Sequence, residues 1–302
     1  MKKHEPVIAI AALALLAGFC GDAAGQNPDD VRIESTRVAE GIYMLTGRGG
    51  NMGLCVGDDG PFLIDDQFAP LTGKIVAAIA RLTDKPVRFV INTHWHGDHT
   101  GGNENLGKRG VVIVAHDNVR KRMSSEQFIK SLDRTVPPAP AIALPVVTFA
   151  DSITFHLNGQ TIEVFHVPPA HTDGDCVICF RGANVIHSGD VLFNGMYPFI
   201  DASAGGNLDG MVHAADRILK MSNDTTRIIP GHGPLAHVKE LRAYRDMLAA
   251  VSQRVHALHD EGKTRDQIIA AHPTAPYDST WGGGFLKPDQ WVGIVCDSLG
   301  FE

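Results

Sequence analysis

Between Asn92 and Thr100 the chain reads Thr93-His94-Trp95-His96-Gly97-Asp98-His99, three imidazoles and a carboxylate crowded into one short stretch. In an extended exit from a strand, His94 and His96 face the same way and can hold one metal ion. Gly97 is expected to allow a sharp turn, so that Asp98 and His99 address a second ion beside the first. Imidazole and carboxylate donors suit zinc, with iron or manganese as competitors. Two ions about 3.5–4 Å apart can share a hydroxide that is available at neutral pH and attacks a carbonyl or phosphoryl centre. One ion also acts as a Lewis acid on the developing oxyanion. Asp98 is placed both to bind and to orient that hydroxide and move a proton.

Further donors appear in similar settings. The apolar run Thr161 to Val167 is followed by His171, Asn184 to Ile186 by His187-Ser188-Gly189-Asp190, and Arg227 to Pro230 by Gly231-His232-Gly233. Loops at the ends of rigid elements present a shared site in this way. The chain holds 15 histidines, so most must be structural or solvated. That role is assigned to His116, His156, His166, His187, His213, His237, His256, His259 and His272. His116 and His187 stand at strand ends nearest the expected site.

The pattern His94-x-His96-x-Asp98-His99, then His171, Asp190 and Pro230-Gly231-His232-Gly233, resembles the metallo-β-lactamase superfamily over roughly residues 37–240. The resemblance implies an α/β fold, an αβ/βα four-layer sandwich of two mixed β-sheets flanked by helices. It implies one metal on His94, His96 and His171, another on Asp98, His99 and His232, and Asp190 bridging the two, with two zinc ions as the expected cofactors. Members of the superfamily hydrolyse β-lactams, thioesters, lactones, phosphodiesters, sulfate esters and nucleic acids, so the site fixes chemistry better than substrate. The secreted di-zinc lactamases usually carry a cysteine where this chain has Asp190. Many also have a lysine shortly afterwards, and none lies between residues 191 and 207. Asp190 is instead similar to the bridging aspartate of glyoxalase-II-like thioesterases and lactonases. The expectation is a carbonyl hydrolase of small molecules with weak or promiscuous β-lactamase activity. An iron-loaded oxidoreductase of the same fold and a phosphodiesterase or sulfatase are the alternatives. A non-catalytic binding module would be expected to have lost a ligand, and all seven are present.

The elements that must carry these residues are short strands punctuated by helices. Strand-like runs are Gly41 to Thr46, Met52 to Val56, Phe62 to Ile64, Val87 to Asn92, Val111 to Ala115, Ile153 to Leu157, Thr161 to Val167, Cys176 to Arg181 and Asn184 to His187. Asp58-Asp59-Gly60 suits a hairpin turn. Helical spacing is found at Leu71 to Leu82, Asn118 to Met123, Leu208 to Met221, Val238 to Leu258 and Thr264 to Ala271. Residues 26–35 read as loose. The segment Val136 to Pro145 has four prolines and reads as a connecting loop rather than a domain boundary, since donors lie on both sides of it. Residues 26–302 therefore read as one hydrolase domain with a helical C-terminal extension from about residue 240. That extension could supply a lid or substrate wall, with Trp281, Phe285 and Trp291 as contacts, although packing onto the core is the favoured reading.

Composition narrows the function classes. With 44% hydrophobic and 20% charged residues the chain can bury a sizeable core, and a net charge of -7 gives no electrostatic reason to bind nucleic acid. Lys2 and Lys3, an apolar run from Val7 to Phe19 too short to span a bilayer, and Ala23-Ala24-Gly25 are the parts of a secretory signal peptide over residues 1–25. The mature chain is expected to begin near Gln26 and to be periplasmic or secreted, with no other membrane association. A lipid anchor at Cys20 is the lesser alternative, because Phe19 precedes it where a small residue is wanted. Cys176 and Cys179 sit three apart on one strand and point to opposite faces, so they read as packing residues rather than a disulfide or metal pair.

Overall fold

The computed structural model describes residues 27–301, so the expected signal peptide and Cys20 lie outside the described residues. A seven-stranded sheet forms first. It contains β1 (Glu34–Ala39), β2 (Ile42–Thr46), β3 (Met52–Cys55), β4 (Phe62–Ile64), then α1 (Thr72–Ala80) and β5 (Phe89–Ile91). After β5 come α2 (Gly97–Thr100), α3 (Asn103–Gly107), β6 (Val112–His116), α4 (Asp117–Met123), the hairpin β7 (Gln127–Ile129) and β8 (Arg134–Val136), and β9 (Val147–Phe149). The order is β1-β2-β3-β4-β5-β6-β9, antiparallel up to β4 and parallel from β4 onward.

The second sheet contains β10 (Ser152–Leu157), β11 (Gln160–His166), β12 (Cys176–Phe180) and β13 (Val185–Phe193). Then α5 (Leu208–Met221) leads to β14 (Arg227–His232) and β15 (Ala236–His237). Its six strands run in sequence order, and only the β13–β14 pair is parallel. The chain ends in α6 (Val238–Asp260), α7 (Arg265–Ala270), α8 (Asp278–Trp281) and α9 (Pro288–Leu299).

Period-two alternation builds the layers. Phe62 and Ile64 of β4 meet Cys176, Ile178 and Phe180 of β12 in a core between the sheets. Leu63 and Val90 face the other way, onto Leu71, Ile75 and Ile79 beside the first sheet. Val177 and Cys179 face a third core with Leu208, Met211, Leu241 and Leu248 of α5 and α6. Helix, sheet, sheet, helix is thus the layer order, as the resemblance implied. Cys176 and Cys179 do lie in different cores, and the cysteines among the described residues are free and buried.

The structure departs from the sequence reading in several places. Glu34 and Ser35, read as loose, open an edge strand that runs to Ala39, mostly exposed and paired only with β2. The loop over 136–145 is flanked by the β7–β8 hairpin, which the sequence reading did not anticipate. Residues 288–299 form a regular helix with Pro288 in its first turn and Gly300 left-handed at its end. Finally, β13 continues past His187 to Phe193, so Asp190 sits inside a strand and not in a loop. Its pairing with β14 slips at Gly189, whose φ is +51°, and this bulge turns Asp190 toward the site. Among the described residues no helix is long and apolar enough to cross a membrane.

Candidate metal centre

Strand ends from both sheets converge at one edge. His94, His96, Asp98 and His99 follow β5, His171 follows β11, Asp190 lies at the bulge of β13, and His232 ends β14. All seven sequence-predicted residues come together. Three sets of possible ligand atoms each lie within 4.8 Å of one another: His94, His96 and His171; His94, His99 and Asp190; Asp98, His99 and His232. Asp190 is the common centre, with its carboxylate oxygens 3.1 Å from His99 Nε2, 3.4 Å from His171 Nε2, 3.5 Å from His232 Nε2 and 3.8 Å from His94 Nε2.

Gly97 acts differently from expectation. It opens α2 behind His96, which is extended at φ -65° and ψ 148°, and a Cβ at Gly97 would meet nothing within 4 Å. The start of a helix, rather than a glycine-only turn, swings Asp98 and His99 away from His94 and His96. Glycine is required elsewhere. A methyl on Gly231 would overlap Asp190 Oδ1, and one on Gly50 would overlap the His99 ring. The Gly50 segment also ties the two sheets at the site. Gly50 N–H donates to Asp98 O at 3.1 Å, and Asn51 N–H to Gly231 O at 2.7 Å.

Four of the five imidazoles are oriented by a partner on the far side. Asp65 Oδ2 takes the His99 Nδ1–H at 2.8 Å and the Thr93 hydroxyl at 2.8 Å, while Thr93 Oγ1 lies 3.0 Å from His94 Nδ1. The Phe199 carbonyl accepts from His171 Nδ1 at 2.7 Å, and Asp201 Oδ2 from His96 Nε2 at 3.0 Å. These acceptors leave a lone pair on His94 Nε2, His96 Nδ1 and His171 Nε2, all aimed inward. His96 Nδ1 and His171 Nε2 then stand 2.9 Å apart with lone pairs facing. His94 Nε2 and Asp190 Oδ1 are buried with no hydrogen-bond partner. Facing lone pairs and orphaned buried donors fit a cation, so this residue set is suited to metal ions.

Electrostatics separates the two halves. Burial pulls His171 down to about 4 and holds His94 well below its ordinary value, so both are neutral donors near pH 7. Burial also disfavours charge on His99 and His232, but the carboxylates of Asp190 and Asp98 outweigh it; His99 rises and His232 reaches about 9. Those histidines in turn hold Asp98 and Asp190 below the usual carboxylate range against the effect of burial. The side chains of Asp98 and His232 are 27% and 25% exposed, whereas the other five residues are buried, so the cluster opens to solvent on their side.

Sequence reasoning missed Asp65 and Asp201. Asp65 follows the apolar strand β4, the same signal that pointed to the other donors. Asp201 lies in an aperiodic loop that gives no such signal. His116 stacks on His166 with ring centres 3.8 Å apart, and His187 bonds to Asn51 O and Gly189 N, so the structure keeps these three out of the cluster. Trp281 and Trp291 are packed inside, while Phe285 is 57% exposed.

The family model described as the metallo-beta-lactamase superfamily matches residues 45–232. Hydroxyacylglutathione hydrolase of Polaromonas sp. is 29% identical over 168 residues, covering 54% of this chain and 55% of the relative. Metallo-beta-lactamase type 2 of Bacteroides fragilis is 24% identical over 151 residues, covering 49% and 54%. The chain thus spans about half the length of these curated relatives. A stereoselective inverting sec-alkylsulfatase from Pseudomonas sp. superposes with a TM-score of 0.66 at 19% identity, over 89% of this chain and 51% of that one, a likeness of fold.

Proposed function

As the chain belongs to the metallo-beta-lactamase superfamily, we propose that it is an exported dinuclear zinc hydrolase acting on a carbonyl substrate: a lactone, ester, thioester or lactam. The observation that carries this reading is the Asp190 carboxylate lying within 3.8 Å of His94 and His171 on one side and of His99 and His232 on the other. A bound pair of zinc ions supplies a water of lowered pKa and a Lewis acid for the carbonyl oxygen. His94, His96 and His171 would hold one ion, and Asp98, His99 and His232 the other. The Asp190 carboxylate, within reach of both sets, would offset their charge. Asp98, a quarter exposed, accepts the proton released by the attacking water and returns it to the leaving group. Phe193 lies flat against His232 and Phe199 beside His96 and His171, which keeps bulk water from the ligands' flanks.

Substrate choice follows from Asp190. A carboxylate donates less charge than the thiolate of secreted lactamases and holds the ions more symmetrically. With no lysine over 191–207 to pair with a drug carboxylate, β-lactam turnover should be slow beside that of an ester, thioester or lactone. The thioester named in one relative and the sulfate ester named in one neighbour belong on the same panel. Elemental analysis after zinc supplementation should give two ions per chain, and the panel should favour a carbonyl substrate. One firmly held ion, or sulfate-ester or phosphodiester turnover above all carbonyl compounds, would overturn the reading. Native iron would move it toward an oxidoreductase.

A further inference from the structure

The C-terminal segment grips the turn that orients two of the seven candidate ligands. Tyr197 is the gripping point. Its ring stacks on Trp291 of α9 with centres 4.2 Å apart and planes 9° from parallel. Its N–H donates to Trp281 O at 3.0 Å, and its hydroxyl donates to Asp278 Oδ1 at 2.8 Å. Beyond the turn, Asn207 Nδ2–H donates to Ser298 O at 2.9 Å and Leu208 N–H to Ser298 Oγ at 3.3 Å. Between these two anchors lie the Phe199 carbonyl, which takes the proton of His171 Nδ1, and Asp201, which takes that of His96 Nε2. Asp201 N–H also donates to His171 O at 3.0 Å. His99, by contrast, is held by Asp65 of the first sheet, and His232 rests on Phe193 within the second.

We infer that residues 278–298, which lie beyond the part of the chain matching the family, set the affinity of the His94/His96/His171 position by clamping the Tyr197–Asp201 turn. The inference rests on the dinuclear reading. Phe199 and Asp201 are positioning groups: each fixes which ring nitrogen of its histidine carries the proton and leaves the other free to bind. Loss of such a partner costs about 10–100-fold in metal affinity. The Tyr197 hydroxyl bond, one step further out, is worth about fivefold at the scale of a single hydrogen bond.

The test is a titration of the metal-stripped full chain with cobalt(II) in competition with a chromophoric chelator, giving two stepwise dissociation constants. His171→Ala and His232→Ala assign each constant to its position. Asp201→Ala should weaken the three-histidine position about 10–100-fold and leave the other within about twofold. Tyr197→Phe and Asp278→Ala should shift the same constant about fivefold, and the double variant no further than either, because both remove the same bond. These two variants keep the stack on Trp291 and so report even should Asp201→Ala fail to fold. Equal weakening at both positions, or no change in any variant, would overturn the inference. Wild-type chain binding fewer than two ions sinks the dinuclear reading itself, and the inference with it.

Discussion

Two glycines inside the donor motifs, Gly97 and Gly231, look equivalent in sequence but should respond in opposite ways to a single methyl group. At Gly231 the new Cβ would fall on Asp190 Oδ1 and within 2.8 Å of the Gly189 carbonyl carbon and the Asp190 nitrogen. Two of these three atoms are backbone of the adjacent strand, so β13 and β14 must part or the carboxylate must rotate out of the site. Overpacking of this kind costs about 1–3 kcal/mol. At Gly97 the Cβ meets nothing within 4 Å and the residue begins a helix. Alanine there should be neutral or stabilising by up to about 1 kcal/mol, through lost freedom of the unfolded chain. Urea unfolding of the metal-stripped proteins should therefore separate the two variants by about 1–4 kcal/mol, and only Gly231→Ala should lose zinc on elemental analysis. A Gly231→Ala protein with wild-type stability and two zinc ions would refute the close-packing argument. So would a Gly97→Ala protein destabilised by about 2 kcal/mol, a loss on the overpacking scale.

Asp190→Ala should lower kcat/KM on every hydrolysed substrate by about 10²–10³, the scale for removal of one preorganised charge-stabilising group; steady-state rates near wild type would exclude the bridging role. His187 is buried and its pKa is held at about 4, below the ordinary 6.5, mainly by desolvation. The unfolded chain binds a proton there that the folded chain refuses, so this contribution is complete above pH 6.5 and lost as pH falls toward 4. It amounts to about 3 kcal/mol, and a His187→Gln variant of the metal-stripped protein should show a correspondingly flatter loss of stability between those values. Identical slopes in the two proteins would remove His187 as the cause. N-terminal sequencing of exported material should begin near Gln26, whereas a lipid-modified start at Cys20 would overturn a soluble periplasmic location.

The donors were legible because chemistry and spacing coincide in them: few other roles need His94, His96, Asp98 and His99 in one run after an apolar strand. Alternation in β4 and β12 likewise encodes the layers directly. Asp190 was found by type but misplaced, since a bulge created by a positive φ at Gly189 has no sequence period to betray it. Helix α9 was obscured by the glycines at 282–284 in front of it, although Pro288 and Gly300 mark its two ends. Asp201 was invisible for a deeper reason. Its role depends on a turn whose shape is set by Trp291 and Asp278, some eighty to ninety positions later, and local pattern carries no record of such a contact.

The division of the ligands between the sheets has a mechanical meaning. His96 and His171 are 75 positions apart and His99 and His232 are 133 apart, and each pair joins the first sheet to the second. A loaded centre is therefore a removable cross-link along the seam between two halves that share no disulfide among the described residues. A covalent bridge closing a loop of about 100 residues is worth about 4.7 kcal/mol in the chain-entropy account, and an ion held only by the folded chain acts in the same direction by mass action. Durability of this protein is then a function of metal supply: chelation should let the halves open along that seam, and proteolysis should begin there.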